Sequence, residues 1–118
     1  MSNYKVAFYI RCSDEEQDFL VIKNQEHHLR YDLEMKNRSY PFGQLVEIFV
    51  DKGSTKNPNR PALQKMLMAI ELGEVNMVMM TEQSRLSRDL KDLSKIWDHL
   101  KSFKCDLISL RERSEAVK

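Results

Sequence analysis

The sequence predicts an α/β fold: a mostly parallel sheet of about four strands with helices on both faces. Three observations carry this. Short apolar runs alternate with longer stretches whose apolar residues recur at helical spacing. Glycine and proline are scarce, 3 of each, which disfavours a turn-rich sandwich or barrel. The chain of 118 residues is 42% apolar and 31% charged, enough for one modest core under a well-solvated surface.

The elements follow in order. Lys5 to Arg11 is a short apolar, aromatic run that fits a strand buried on both faces. Glu15 to Lys36 contains no Gly or Pro, and Ile22, Gln25, Leu29 and Leu33 recur on one helical face, with Phe19 a turn upstream. Leu45 to Val50 reads as a second strand and Asp51 to Arg60 as a polar loop. Pro61 suits the first position of a helix with Leu63, Met66, Leu67 and Ile70 inside, ending near Gly73. Val75 to Thr81 is a third strand. Leu86, Leu90, Leu93, Trp97, Leu100 and Phe103 predict one long amphipathic helix, and Cys105 to Leu110 a fourth strand. The order βαβαβαβ calls for crossover helices between parallel strands.

Composition narrows the function classes. With 19 basic and 18 acidic residues the net charge is +1, so contact with a polyanion must come from locally gathered arginines. No uninterrupted apolar run is longer than that from Val6 to Ile10, far too short to span a membrane, and the first residues show no secretory pattern. Cys12 and Cys105 have no framework or metal spacing and read as buried free thiols of a reducing, cytoplasmic compartment. His27 and His28 are adjacent and cannot share a helix face, and His99 stands alone, so no metal is expected. No Gly-rich phosphate loop is present, so no nucleotide or other small-molecule cofactor is expected either. The methionines at 66, 68, 77, 79 and 80 read as core filling.

In such folds ligands bind outside the carboxyl ends of the strands. The first strand leaves through Tyr9, Arg11 and Ser13, which share one direction. The second delivers Asp51 and a loop ending at Arg60. The third delivers Arg85 and Arg88, three apart and expected on one face at a helix N-terminus. Four arginines beside a hydroxyl suit the oxygens of a phosphate. Plainer roles exist for each residue. Ser13 with Glu16 forms a capping box, compatible with an exposed hydroxyl. Arg85 and Arg88 could pair with Asp89 and Asp92, Asp51 could satisfy loop amides, and Arg60-Pro61 could be a helix entry.

At these residues the chain resembles the serine recombinases, the resolvases, invertases and integrases. Tyr9-Ile10-Arg11-Cys12-Ser13 is similar to the family's Y-x-R-x-S, and Gln17 and Gln25 match two glutamines of the following helix. Asp51-Lys52-Gly53-Ser54 is similar to D-x-x-S, Arg60-Pro61-Ala62-Leu63 to R-P-x-L, and Arg85-Leu86-Ser87-Arg88 to R-L-x-R. Ser84 stands where small resolvases carry Asp. Glu82 two places earlier, and Ile22-Lys23-Asn24-Gln25, are closer to the large serine recombinases. Thr55 replaces the usual Gly after the loop serine.

The resemblance implies a resolvase-like catalytic domain over residues 1–118, isolated from a downstream oligomerisation helix and DNA-binding domain. It implies that Ser13 attacks double-stranded DNA to give a 5′-phosphoserine, without metal or nucleotide triphosphate, in a protein that passes from homodimer to homotetramer. Arg11, Arg85 and Arg88 would hold the scissile phosphate and Arg60 the phosphate or the serine. Tyr9, Gln17, Asp51 and Ser54 would support them, with the general base left open among Asp51, Glu82 and a polarised water. Two other classes compete: a degenerate domain kept for protein–protein assembly, and a small-molecule phosphate hydrolase using Ser13.

Overall fold

A computed structural model describes residues 3–13, 18–53 and 60–112. Four strands, β1 (Tyr4–Cys12), β2 (Gly43–Lys52), β3 (Met77–Met80) and β4 (Asp106–Ser109), form one sheet in the order β2-β1-β3-β4. All three pairings are parallel. The helices are α1 (Asp18–Ser39), α2 (Pro61–Glu71) and α3 (Leu90–Ser102). The expected element order and parallel sheet are present.

The sheet is sandwiched. Val6, Phe8 and Ile10 pack with Leu29 and Leu33 of α1, Met77 and Met79 on one face. Ala7 and Tyr9 pack with Leu63, Met66 and Ile70 of α2 and Ile96 and Leu100 of α3 on the other. This is the period-two alternation of a strand covered on both faces. The α1 face carrying Gln25, Leu29 and Leu33 is buried as its spacing predicts, whereas Phe19 is 69% exposed. Met68 is likewise exposed, because it falls on the outer side of α2.

Local chemistry sets the ends. Asn37 Oδ1 accepts from the amides of Phe42 and Gly43 at 2.9 and 3.1 Å, turning the chain from α1 into β2. Pro61 opens α2, and Gly73 closes it with the left-handed φ of 77° that glycine adopts without cost. One expectation fails. The long helix from Leu86 is instead a single 3-10 turn, Gln83–Arg85, followed by an irregular link and then α3. Asp89 caps α3 by accepting from the Lys91 amide at 3.1 Å, and Ser87 Oγ accepts from the Asp89 amide at 3.1 Å. These short polar side chains satisfy the backbone outside a helix and delay its start. Leu90 therefore lies outside the apolar stripe and is 80% exposed.

Candidate active site

The carboxyl ends of β1, β2 and β3 bring the predicted residues to one edge of the sheet. Arg11 lies next to the last residue of β1, within its buried run, and is 1% exposed. Its Nε donates to the Arg85 carbonyl at 3.1 Å, Nη1 to the Gly53 carbonyl at 2.6 Å and Nη2 to the Ser84 carbonyl at 3.5 Å. One guanidinium thus ties together the exits of three strands. Burial lowers its proton affinity, and the positive charges of Arg85, Arg60 and Arg88 act in the same direction. No carboxylate pairs with Arg11 among the described residues; carbonyl dipoles replace one.

Arg85 turns back on β1, its Nη1 donating to the Arg11 carbonyl at 3.0 Å. Gln25 of α1 completes the hold from the opposite face, its Nε2 donating to the same carbonyl at 2.9 Å. Arg60 is 6% exposed and donates from Nη2 to the Tyr9 hydroxyl at 2.9 Å and to the Arg85 carbonyl at 3.3 Å. Its Nη1 lies 4.0 Å from Asp92 of α3. The Arg85 carbonyl therefore receives two guanidinium groups drawn from β1 and the start of α2.

Asp51 is the anchor beneath them. It accepts from the Tyr9 hydroxyl at 2.8 Å and from the amides of Ala62 and Leu63 at 2.9 Å each. Arg60 occupies the N-cap of α2 and makes no side-chain cap, so Asp51 supplies it from β2. The sequence predicts that Asp51 satisfies loop amides; the amides it accepts from are instead those of the first turn of α2. Burial raises the Tyr9 hydroxyl well above the usual phenol range, against the neighbouring charge of Arg60.

Ser13 is half-buried in the first position after β1. Arg88 is exposed on the link before Asp89. The expected shared helix face of Arg85 and Arg88 is not formed, because Arg85 ends the 3-10 turn and Arg88 precedes the α3 cap. No α-helix dipole begins at this pair. Gln17, Ser54, Thr55 and the capping-box Glu16 lie outside the described residues.

A family model for the resolvase N-terminal domain matches residues 6–117. The chain belongs to this family. It is similar to the N-terminal catalytic domain of TP901-1 integrase, at 30% identity and TM-score 0.77 over 92% of this chain and 78% of that one. A resolvase-family site-specific recombinase from Streptococcus pneumoniae shares the fold at 19% identity and TM-score 0.78, covering 94% and 74% of the two chains. A serine recombinase from Sulfolobus solfataricus does so at 23% identity and TM-score 0.74, covering 92% and 69%. No curated protein sequence matches the chain at a significant level.

Within this resolvase-type domain, sequence reasoning assembled Arg11, Arg60 and Arg85 but not their acceptors. The carbonyls of Gly53, Ser84 and Arg85 carry no residue-type signal, because every residue has one. Asp92 and Gln25 had a signal in their helical phase: Gln25 is a polar residue on an otherwise apolar buried face. No group of three or more His, Cys, Asp or Glu residues suited to a metal occurs among the described residues. No described helix is long and apolar enough to cross a membrane.

Proposed function

We propose that this domain is the catalytic unit of a site-specific serine recombinase and acts on double-stranded DNA. The observation that carries the reading is the interlock of three arginines, Arg11 and Arg60 donating to the Arg85 carbonyl and Arg85 to the Arg11 carbonyl, at the strand edge where Ser13 follows β1. Ser13 Oγ attacks the phosphorus of a backbone phosphodiester and the bond to O3′ breaks. A 5′-phosphoserine link and a 3′-hydroxyl result, the serine proton passing to a base and the departing oxygen taking one up. Religation is the reverse attack by a 3′-hydroxyl. The phosphoserine preserves the ester bond, so no nucleotide triphosphate is consumed.

The arginines divide the work. Arg88 is exposed and free to turn toward a phosphate, and Arg85 ends the 3-10 turn three residues before it. Arg11 and Arg60 are buried and hold the edge in shape, Arg11 against the Gly53, Ser84 and Arg85 carbonyls. For Arg11 to reach a scissile phosphate, the segments carrying those carbonyls must shift when DNA binds. Tyr9 and Asp51 support the edge, and Gln17 and Ser54 complete the proposed set. The Ser84-Arg85 sequence, Glu82 and the likeness to an integrase domain support the large serine recombinase branch. Residues 1–118 are read as part of a longer recombinase whose other segments supply assembly from dimer to tetramer and the choice of DNA site.

A second reading, a domain kept for assembly without cleavage, draws on the inward commitment of the Arg11 donors to backbone carbonyls. One experiment separates the two. The complete recombinase is incubated with a nicked suicide substrate that prevents religation. A covalent protein–DNA adduct that disappears in Ser13→Ala supports the catalytic reading. No adduct, or one that persists in Ser13→Ala, overturns it.

A further inference from the structure

The 3-10 turn that presents the Arg85 carbonyl has an unusual cap. Glu82 occupies its N-cap position but makes no side-chain capping bond. The Gln83 amide donates instead to Glu112 Oε1 at 3.0 Å, a carboxylate 29 residues further along. The same oxygen accepts from Ser109 Oγ at 2.5 Å, and Ser109 is fully buried at the end of β4. Backbone bonds run beside this tether: Leu110 donates to the Met80 carbonyl and Arg111 to the Thr81 carbonyl, each at 3.0 Å. Arg111 Nη1 also lies 3.6 Å from Glu82.

We infer that Glu112 is a positioning residue for the arginine cluster. Its carboxylate fixes the start of the Gln83–Arg85 turn. The turn in turn aims the Ser84 and Arg85 carbonyls, which receive Arg11 and Arg60. Glu112 touches none of the arginines' guanidinium donors described above, so it acts through the turn. A carboxylate oxygen has lone pairs for both the amide and the hydroxyl, and a glutamine Oε1 has the same capacity without the charge. An alanine has neither.

The inference rests on the recombinase reading for its catalytic consequence and on the turn alone for its structural one. Two measurements keep these apart. In the complete recombinase, single-turnover adduct formation on a suicide substrate is followed against DNA concentration for the wild type, Glu112→Ala and Glu112→Gln. Glu112→Ala is expected to lower the rate at saturating DNA about tenfold, as for one lost buried hydrogen bond, with the half-saturating concentration little changed. Glu112→Gln is expected to recover the rate to within about threefold, since the acceptor returns. In the 118-residue chain, amide exchange at Gln83 is expected to accelerate at least tenfold in Glu112→Ala and to stay slow in Glu112→Gln. An unchanged rate in Glu112→Ala, or an equal loss in both variants, overturns the positioning role. Unchanged exchange at Gln83 overturns the tether itself. A wild type that forms no adduct overturns the recombinase reading, while the exchange measurement still decides the tether.

Discussion

Replacing Asp51 by alanine removes the acceptor for three donors at once. Two are first-turn amides of α2, Ala62 and Leu63, and the third is the Tyr9 hydroxyl. Loss of a helix cap costs about 1 kcal/mol, and loss of a negative charge at a helix start adds about 0.5–1 kcal/mol. Tyr9 is fully buried, so its hydroxyl hydrogen is left without a partner, a further penalty of about 1–3 kcal/mol. Together these give about 2.5–5 kcal/mol, a large share of the roughly 5–15 kcal/mol that holds a domain of this size. Asp51→Asn can keep its carbonyl oxygen at the position shared by the Tyr9 hydroxyl and the Leu63 amide, losing the acceptor for Ala62 and the charge, and is expected to lose about half as much. Urea unfolding followed by far-ultraviolet circular dichroism at pH 7 measures both. The Tyr9→Phe background removes the stranded hydroxyl, so Asp51→Ala should cost at least about 1 kcal/mol less there. A loss under about 1 kcal/mol for Asp51→Ala, or the same loss in both backgrounds, would refute the argument.

Three further outcomes follow from the same structure. Arg88→Ala should lower adduct formation by about 10²–10³ while unfolding stability changes by under about 0.5 kcal/mol, since the side chain is exposed; normal cleavage removes Arg88 from the site. Gly43→Ala places a methyl group 2.6 Å from the Tyr4 carbonyl oxygen and 2.8 Å from its Cβ. The β1–β2 pairing must then shift, at a cost of about 1–3 kcal/mol in urea unfolding; an unchanged midpoint contradicts this. Burial pushes the Cys105 thiol from 9.0 up to about 12. Between those values the folded state holds a proton that the unfolded chain has released, so stability is intact below about pH 9 and falls as pH rises. The thiol contributes a slope of up to about 1.4 kcal/mol per pH unit, which Cys105→Ala should remove; identical slopes would refute it.

The fold was legible because each element carries its own period. β1 is apolar at every position from Val6 to Ile10 and is buried on both faces, and α2 reads from Pro61 to Gly73 without ambiguity. The failure lay between Leu86 and Leu90. Apolar spacing continues there as though helical, yet Ser87 and Asp89 bond to the local backbone and start α3 late. Periodicity counts side chains and does not register such competition for amides.

The candidate site was half legible. Residue type announced Arg11, Arg60, Arg85 and Asp51, and the sheet's carboxyl edge told where they would meet. Their direction was not announced. Arg11 points inward to three carbonyls, and Asp51 serves a helix start and a tyrosine. Which way a guanidinium turns depends on backbone oxygens supplied by remote segments, and those are invisible in a list of residue types. Glu112 was missed for the same reason: its partner is the amide of Gln83.

The most direct test of the account is the identity of the residue that becomes linked to DNA. The adduct trapped on a suicide substrate is digested with nuclease and trypsin, and the peptide that retains a nucleotide is sequenced by tandem mass spectrometry. The account requires the nucleotide on Ser13, in the peptide that begins at Cys12. A nucleotide on Tyr9, Ser84, Ser87 or any other hydroxyl would contradict it.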